Sequence, residues 1–144
     1  MNVQSNICLK TKELGESGEF TNELPASLNF SSENYEVGLK EIYLSRTWED
    51  VKGLDCLFVH IDIVKHHLLG NKFTQLIQLL PITSKTESVF HYFNKPIYFP
   101  LYSSTFDNIK VSFRNEDGDS IKFKANSKAF LVLEIRKIKN DQFL

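Results

Sequence analysis

The sequence predicts an all-β domain, a sandwich or barrel of short strands, and three observations carry that reading. Apolar and polar residues alternate with a period of two: Ile109, Val111 and Phe113 interleave with Asn108, Lys110, Ser112 and Arg114, which puts the apolar set on one face of a strand. Short runs of this kind recur along the chain with turn signals between them, and no stretch sustains the i, i+3, i+4, i+7 spacing of a long amphipathic helix. Phenylalanine supplies 12 residues and tyrosine 5, against one tryptophan and one methionine, a composition suited to pleated, half-buried surfaces.

Taken in order, residues 4–10 open the fold as a strand with Ile7 and Leu9 on one face. The acidic, glycine-bearing segment 13–19 reads as a loop, and 20–24 as a short strand stopped by Pro25. Tyr35, Val37 and Leu39 alternate until Glu41 falls where an apolar residue is due. Ile42 and Leu44 resume one register later, so a bulge is expected at residues 40–41. Trp48 is the largest packing object in the chain and is expected in the core. In 57–64, Val59, Ile61 and Ile63 face inward, with His60 and Asp62 on the other face. Residues 66–71 read as a turn, 73–83 as an almost continuously apolar strand, and 89–93 as a further short strand. Pro96 and Pro100 bracket Ile97-Tyr98-Phe99, which suits an edge, because proline donates nothing to a ladder. Residues 109–123 read as a β-hairpin turning at Asp117-Gly118, and Leu131, Leu133 and Ile135 alternate in the last strand. The expected core is Trp48, Ile61, Leu79, Ile109, Val111, Phe113, Leu133 and Ile135.

A chain of 144 residues is expected to form one domain, 1–144, large enough to bury about 68–70% of its unfolded surface. A formal net charge of −1 exerts no general pull on nucleic acid or an anionic membrane. Lys10 and Lys12 are set against Glu13, Glu16, Glu19 and Glu23, so no basic arm is present for a genome. No run approaches the roughly 20 apolar residues of a membrane-crossing helix, and no apolar segment behind the polar first residues marks a signal peptide. Cys8 and Cys56, the only two cysteines, are expected to be reduced, small buried hydrophobes.

Residues of catalytic type are present without a constellation. His60 and Asp62 share a strand face, and His91 is the nearest third ligand for a metal. They read more simply as the solvent side of a half-buried strand. His66-His67 falls in a turn, Cys56 carries no nucleophile signature, and Asp117 and Asp119 are ordinary turn residues. Phe113, Arg114, Lys122, Phe123 and Lys124 interleave aromatics with cations as a stacking platform does, but alternation sends both phenylalanines to the core. No catalytic, cofactor-binding or metal-binding residue is assigned, and no cofactor is expected.

An ordered set of short stretches goes further. Residues 20–28, Tyr35-Glu36-Val37-Gly38-Leu39-Lys40-Glu41-Ile42 and Arg46-Thr47-Trp48 come first. Phe58-Val59-His60-Ile61-Asp62-Ile63-Val64 with Gly70 follows, then the apolar strand 76–81. Tyr98-Phe99-Pro100-Leu101, Phe106-Asp107-Asn108-Ile109, Asp117-Gly118, Ile121-Lys122-Phe123 and Leu133-Glu134-Ile135-Arg136 close the series. Together they resemble the minor capsid, or penton, proteins of Polinton/Maverick elements and their adintovirus and virophage relatives, over nearly the whole chain. Lys65-His66-His67 stands where the family commonly has a proline. The resemblance implies a single jelly-roll sandwich of two antiparallel sheets, a structural protein without catalysis, and a place at the five-fold vertex of a virion. Its implied partners are its own copies, as a homopentamer, and a double-jelly-roll major capsid protein, with no direct contact to nucleic acid or membrane. The rival readings are a jelly-roll carbohydrate- or receptor-binding module with Tyr98 or Tyr102 as sugar platforms, and a metal-dependent β-helix enzyme.

Overall fold

In the computed structural model, residues 4–11, 18–29, 34–45, 55–82, 88–123 and 127–138 are described. Among them the chain forms eleven strands and no helix: β1 (Gln4–Thr11), β2 (Glu19–Asn29), β3 (Tyr35–Leu44), β4 (Cys56–Ile61), β5 (His67–Leu69), β6 (Lys72–Thr74), β7 (Leu76–Pro81), β8 (Val89–Tyr92), β9 (Tyr98–Pro100), β10 (Thr105–Arg114) and β11 (Ala129–Lys137). The first sheet has the order β1-β11-β3-β8, with β9 also pairing β3, and the second has the order β2-β10-β4-β7.

The pairing is nested. β1 pairs β11, β2 pairs β10, β3 pairs β8 and β9, and β4 pairs β7, every one antiparallel. The chain is thus one long antiparallel ribbon, with the small β5–β6 hairpin at its tip, rolled so that successive rungs fall in alternate sheets. Two lateral ladders, β11 on β3 and β10 on β4, hold the roll together. This is the single jelly roll, two antiparallel sheets face to face.

Alternation explains which side each strand buries. Ile109, Val111 and Phe113 of β10 and Leu131, Leu133 and Ile135 of β11 meet between the sheets with Val37, Leu39, Ile42 and Leu44 of β3 and Leu57, Val59 and Ile61 of β4. Phe113 anchors an aromatic cluster, its ring centroid 6.5 Å from Phe20 and 5.6 Å from Phe123. The bulge falls where the break in alternation places it: Glu41 pairs Val132 and Leu39 pairs Leu133, leaving Lys40 unmatched. That extra residue lets Leu39 and Ile42 both face inward.

Several expectations need correction. β2 does not stop at Pro25 but continues to Asn29, because its ladder to β10 breaks between Asn108–Glu23 and Phe106–Leu28, and proline sits inside the break where no donor is needed. Residues 66–71 are not a simple turn: they carry β5 and the turn into β6, with Gly70 at φ 63° closing the hairpin. The strand expected over 73–83 is divided between β6 and β7. Leu79 is exposed rather than in the core, because it lies opposite Phe58 on the outer face while Leu80, opposite Leu57, faces in. Cys8 is exposed too, since Ile7 and Leu9 take the inward positions of β1, and Cys56 is half-buried; both thiols are free. The turn at Asp117-Gly118 forms, Gly118 having φ 87°. Its return arm makes a bridge from Arg114 to Ser120 rather than a full strand, because β10 already has β2 and β4 as neighbours. Trp48, and the loop segments 13–17 and 84–87, lie outside the described residues.

The free edges β1 and β2 lie side by side and are clipped by one side chain. Asn22 Oδ1 accepts from Lys10 N at 3.0 Å while its Nδ2 donates to Lys10 O at 3.0 Å, so an amide stands in for a backbone rung. Asn22→Ala is expected to cost about 1–2 kcal/mol, the loss of two modest hydrogen bonds, read as a lowered urea midpoint with unchanged slope. Val111→Asp is expected to be far worse, because an unpaired charge in the core costs several kcal/mol against a total stability of roughly 5–15 kcal/mol. Soluble Val111→Asp protein with native dichroism would contradict the assigned face.

Candidate interaction surface

The register of the first sheet sets its outward side chains in lateral rows. Lys10 pairs Phe130, Phe130 pairs Tyr43 and Tyr43 pairs Phe90, so three aromatic rings stand side by side across β11, β3 and β8. The next row reads Cys8, Val132, Glu41 and Tyr92. Phe90 is 64% exposed, Tyr92 48%, Phe130 40% and Tyr43 37%. Four neighbouring aromatic side chains on one face are an apolar patch of the kind that marks an interaction surface.

The same face changes character towards the start of β3. Gly38 pairs Glu134 on one side and Tyr98 on the other, and a side chain at Gly38 would meet the Tyr98 ring at 2.9 Å. Glycine therefore lets the Tyr98 ring lie down across β3, where its hydroxyl donates to the Glu134 carboxylate. The Arg136 guanidinium covers that ring at 3.4 Å from its centroid and pairs with Glu36 at 2.6 Å. Lys40, the bulged residue, reaches Glu134 at 3.9 Å and lies 5.9 Å from the centre of the Tyr92 ring. Burial and the hydrogen bond to Glu134 push the Tyr98 phenol from 10.0 up to about 12.

On the second sheet, β4 and β10 present Phe58, His60, Asp62, Lys110, Ser112 and Arg114 outward. The β5–β6 hairpin stands against this face and the two enclose an open groove of about 980 Å³. His67 fixes the hairpin: its Nε2 bonds the Leu76 carbonyl at 2.7 Å and its ring stacks on Phe99 at 4.3 Å. Gln75 adds two bonds from its Nε2, to the carbonyls of Asp62 and Val64, each 2.9 Å. The hairpin thus has a fixed seat, yet it leaves apolar side chains exposed on both of its faces: Phe73 at 74% and Leu68 at 63% on one, Leu69 at 44% on the other.

The residues of catalytic type are placed apart by this geometry. His60 and Asp62 do share the outer face of β4, but Asp62 Oδ1 is taken by the Lys110 N–H at 2.9 Å, and His60 Nδ1 lies 3.2 Å from the Phe58 carbonyl. Burial pushes the His60 imidazole below its usual range and the Asp62 carboxyl above its own. His91, their nearest third ligand in sequence terms, sits on β8 of the other sheet with its ring 4.4 Å from Phe93. Among the described residues no three of His, Cys, Asp and Glu gather as metal ligands do. Asp117 and Asp119 donate their backbone N–H groups to Asn115 Oδ1 at 2.9 Å each, which makes them framework of the turn. Phe113 and Phe123 are buried, which removes the aromatic half of a nucleic-acid platform. Tyr98 offers no sugar platform, its face being covered by Arg136; Tyr102 is 63% exposed, with His66 edge-on at 5.6 Å.

None of the exposed aromatic row was visible in the sequence. Phe130, Tyr43 and Phe90 are separated along the chain and become neighbours only through the register of three strands.

The Tyr98 contact predicts a pH dependence with a definite sign. The unfolded phenol ionises at its ordinary 10.0 while the folded one keeps its proton to about 12, so across that window the unfolded state binds fewer protons and stability falls as pH rises. Urea unfolding at stepped pH should show this loss in the natural protein and a shallower one in Tyr98→Phe. Equal slopes would mean that Tyr98 is not held by Glu134.

No family model matches this sequence, and no curated protein matches it. Among solved structures, the selenomethionine-labelled mavirus penton protein superposes with a TM-score of 0.73 at 6% identity, covering 94% of this chain and 100% of that one. The structures of infectious bursal disease virus Gx strain (10% identity, 96% of this chain and 33% of that chain, TM-score 0.32) and of VP1 from Trichodysplasia spinulosa-associated polyomavirus (9% identity, 95% and 97%, TM-score 0.29) are far more distant. Those two scores are too low to carry an argument. The single jelly roll implied by the resemblance in sequence is the fold of this chain, and it is the fold of the mavirus penton protein.

Proposed function

We propose that this chain is a structural minor capsid protein that occupies the five-fold vertices of an icosahedral particle as a homopentamer. The observation that carries the reading is the whole-length correspondence with the mavirus penton protein, which leaves almost none of either chain unmatched. Two features of the chain support it independently. Its outward faces hold exposed aromatic and aliphatic side chains at two separate places, which favours contact with other proteins over solvent. Its formal net charge of −1 sets little repulsion between copies.

In this reading the protein works by shape and surface complementarity, without a catalytic step or a cofactor. Five copies close around an axis through contacts that repeat by rotation, and the ring's periphery meets a double-jelly-roll major capsid protein. The protein is then found in the virion, at its vertices. The ribbon topology suits such a role, because the ladders β1–β11, β2–β10 and β3–β11 tie together parts of the chain far apart in sequence.

Light scattering on the concentrated protein, alone and co-expressed with its major capsid protein, tests the reading. The expected particle has five times the chain mass of 16.7 kDa. A stable dimer or trimer, unchanged by the capsid protein, would contradict a vertex role.

A further inference from the structure

The groove between the second sheet and the β5–β6 hairpin has a floor laid out by strand register. Arg114 stands beside Phe58, and Ser112 beside His60, on the neighbouring strands β10 and β4; all four line the groove. One row further on, Lys110 N donates to Asp62 Oδ1 at 2.9 Å and Asp62 N donates to Lys110 O at 3.1 Å. The volume of about 980 Å³ lies at the upper end of the roughly 300–1,000 Å³ of small-molecule sites.

This floor holds hydrogen-bonding capacity that the chain itself does not use. Ser112 is only 7% exposed, yet its hydroxyl has no partner among the described residues, and a polar group buried without one is costly. His60 Nδ1 is held by the Phe58 carbonyl; a carbonyl only accepts, so Nδ1 carries the proton. Burial pushes this imidazole below its usual range, so the ring stays neutral at neutral pH and Nε2 is left as an acceptor. Arg114 gives one N–H to Gly118 O at 2.8 Å and forms no ion pair among the described residues.

We propose that this groove binds a neutral oligosaccharide. Ser112 Oγ and His60 Nε2 bond sugar hydroxyls, which both give and take hydrogen bonds. The remaining Arg114 N–H groups donate to another hydroxyl, and the negative face of the Phe58 ring takes the C–H face of a pyranose. Charge disfavours the main rivals. Lys72, Lys110 and Arg114 along the lining are matched by Asp62, Glu116 and Asp117, so neither a nucleic-acid backbone nor an acidic sugar gains from the field. A peptide strand finds no open ladder on the floor, because β4 already pairs β10 and β7, and β10 pairs β2 and β4. The hairpin strands, at three residues each, are too short to template one. Binding here is a property of one chain and does not rest on the capsid reading.

The test applies the full chain, tagged at its N-terminus, to an array of neutral and acidic glycans, then titrates the best neutral glycan in solution against 15N-labelled protein. The expected result is retention by neutral glycans, with amide shifts centred on residues 58–62 and 110–114. Ser112→Val keeps the shape and removes the hydroxyl; it is expected to weaken binding about fivefold or more with unchanged dichroism. Tyr102→Ala, an exposed aromatic that does not line this groove, is expected to bind like the natural protein. Retention by no glycan or by acidic glycans alone would overturn the site, as would shifts centred on Tyr102 or a folded Ser112→Val protein of natural affinity. The shift map decides the matter even where the variant fails to fold. A pentamer that binds no glycan would overturn this site and leave the capsid reading standing; a glycan-binding chain that never assembles would do the reverse.

Discussion

The structure depends on one constraint: each strand of the first half of the chain is paired with a strand at the mirrored position in the second half. Gln4 pairs Arg136 and Thr11 pairs Ala129 at one extreme; Cys56 pairs Pro81 near the other. Almost no stability is therefore local, and folding must close long loops before any ladder is complete, a topology that slows folding. The same nesting decides which strands are left at the margins. β1 and β2 become adjacent free edges and need the Asn22 clip, while β10 and β11 become interior strands whose alternation is read on both sides. It also throws the ribbon's tip, β5–β6, out beyond the core, where its apolar side chains have nothing of their own chain to cover them.

A second constraint shapes the outer face of the first sheet. The bulge at Lys40 changes the phase of β3, so that Leu39 and Ile42 both point inward and Gly38 comes under the Tyr98 ring. Without a side chain at Gly38, that ring packs flat and delivers its hydroxyl to Glu134, a carboxylate left only 8% exposed. Burying a charge is costly unless it is bonded and paired; Tyr98, Lys40 and the neighbouring Arg136–Glu36 pair meet that need. One end of the face is thereby sealed by its own polar network, and the other is left aromatic and open. The division comes from a single inserted residue.

How much of this was legible follows from which signals are local. Period-two alternation at Ile109, Val111 and Phe113 and at Leu131, Leu133 and Ile135 identified the faces of β10 and β11, and the phase slip at Glu41 located the bulge, because each is a pattern within one strand. Leu79 was misplaced because Leu76-Ile77-Gln78-Leu79-Leu80 is apolar nearly throughout, so its facing is set by the register with β4. Pro25 looked like a terminus, since the break in the β10 ladder that accommodates it depends on residues around Asp107. The exposed rows were out of reach for the same reason: Phe130, Tyr43 and Phe90 are neighbours only once three strands are in register. The site-type residues gave the opposite lesson. His60 and Asp62 share a face as their spacing implies, yet their hydrogen bonds to backbone make them part of the framework.

The proposed function requires this jelly roll to meet copies of itself around a five-fold vertex. Electron cryo-microscopy of the assembled protein, alone or in particles with its major capsid protein, tests this most directly. The expected result is a closed five-fold ring of copies of this chain. Copies related only by a two-fold or three-fold axis would contradict it.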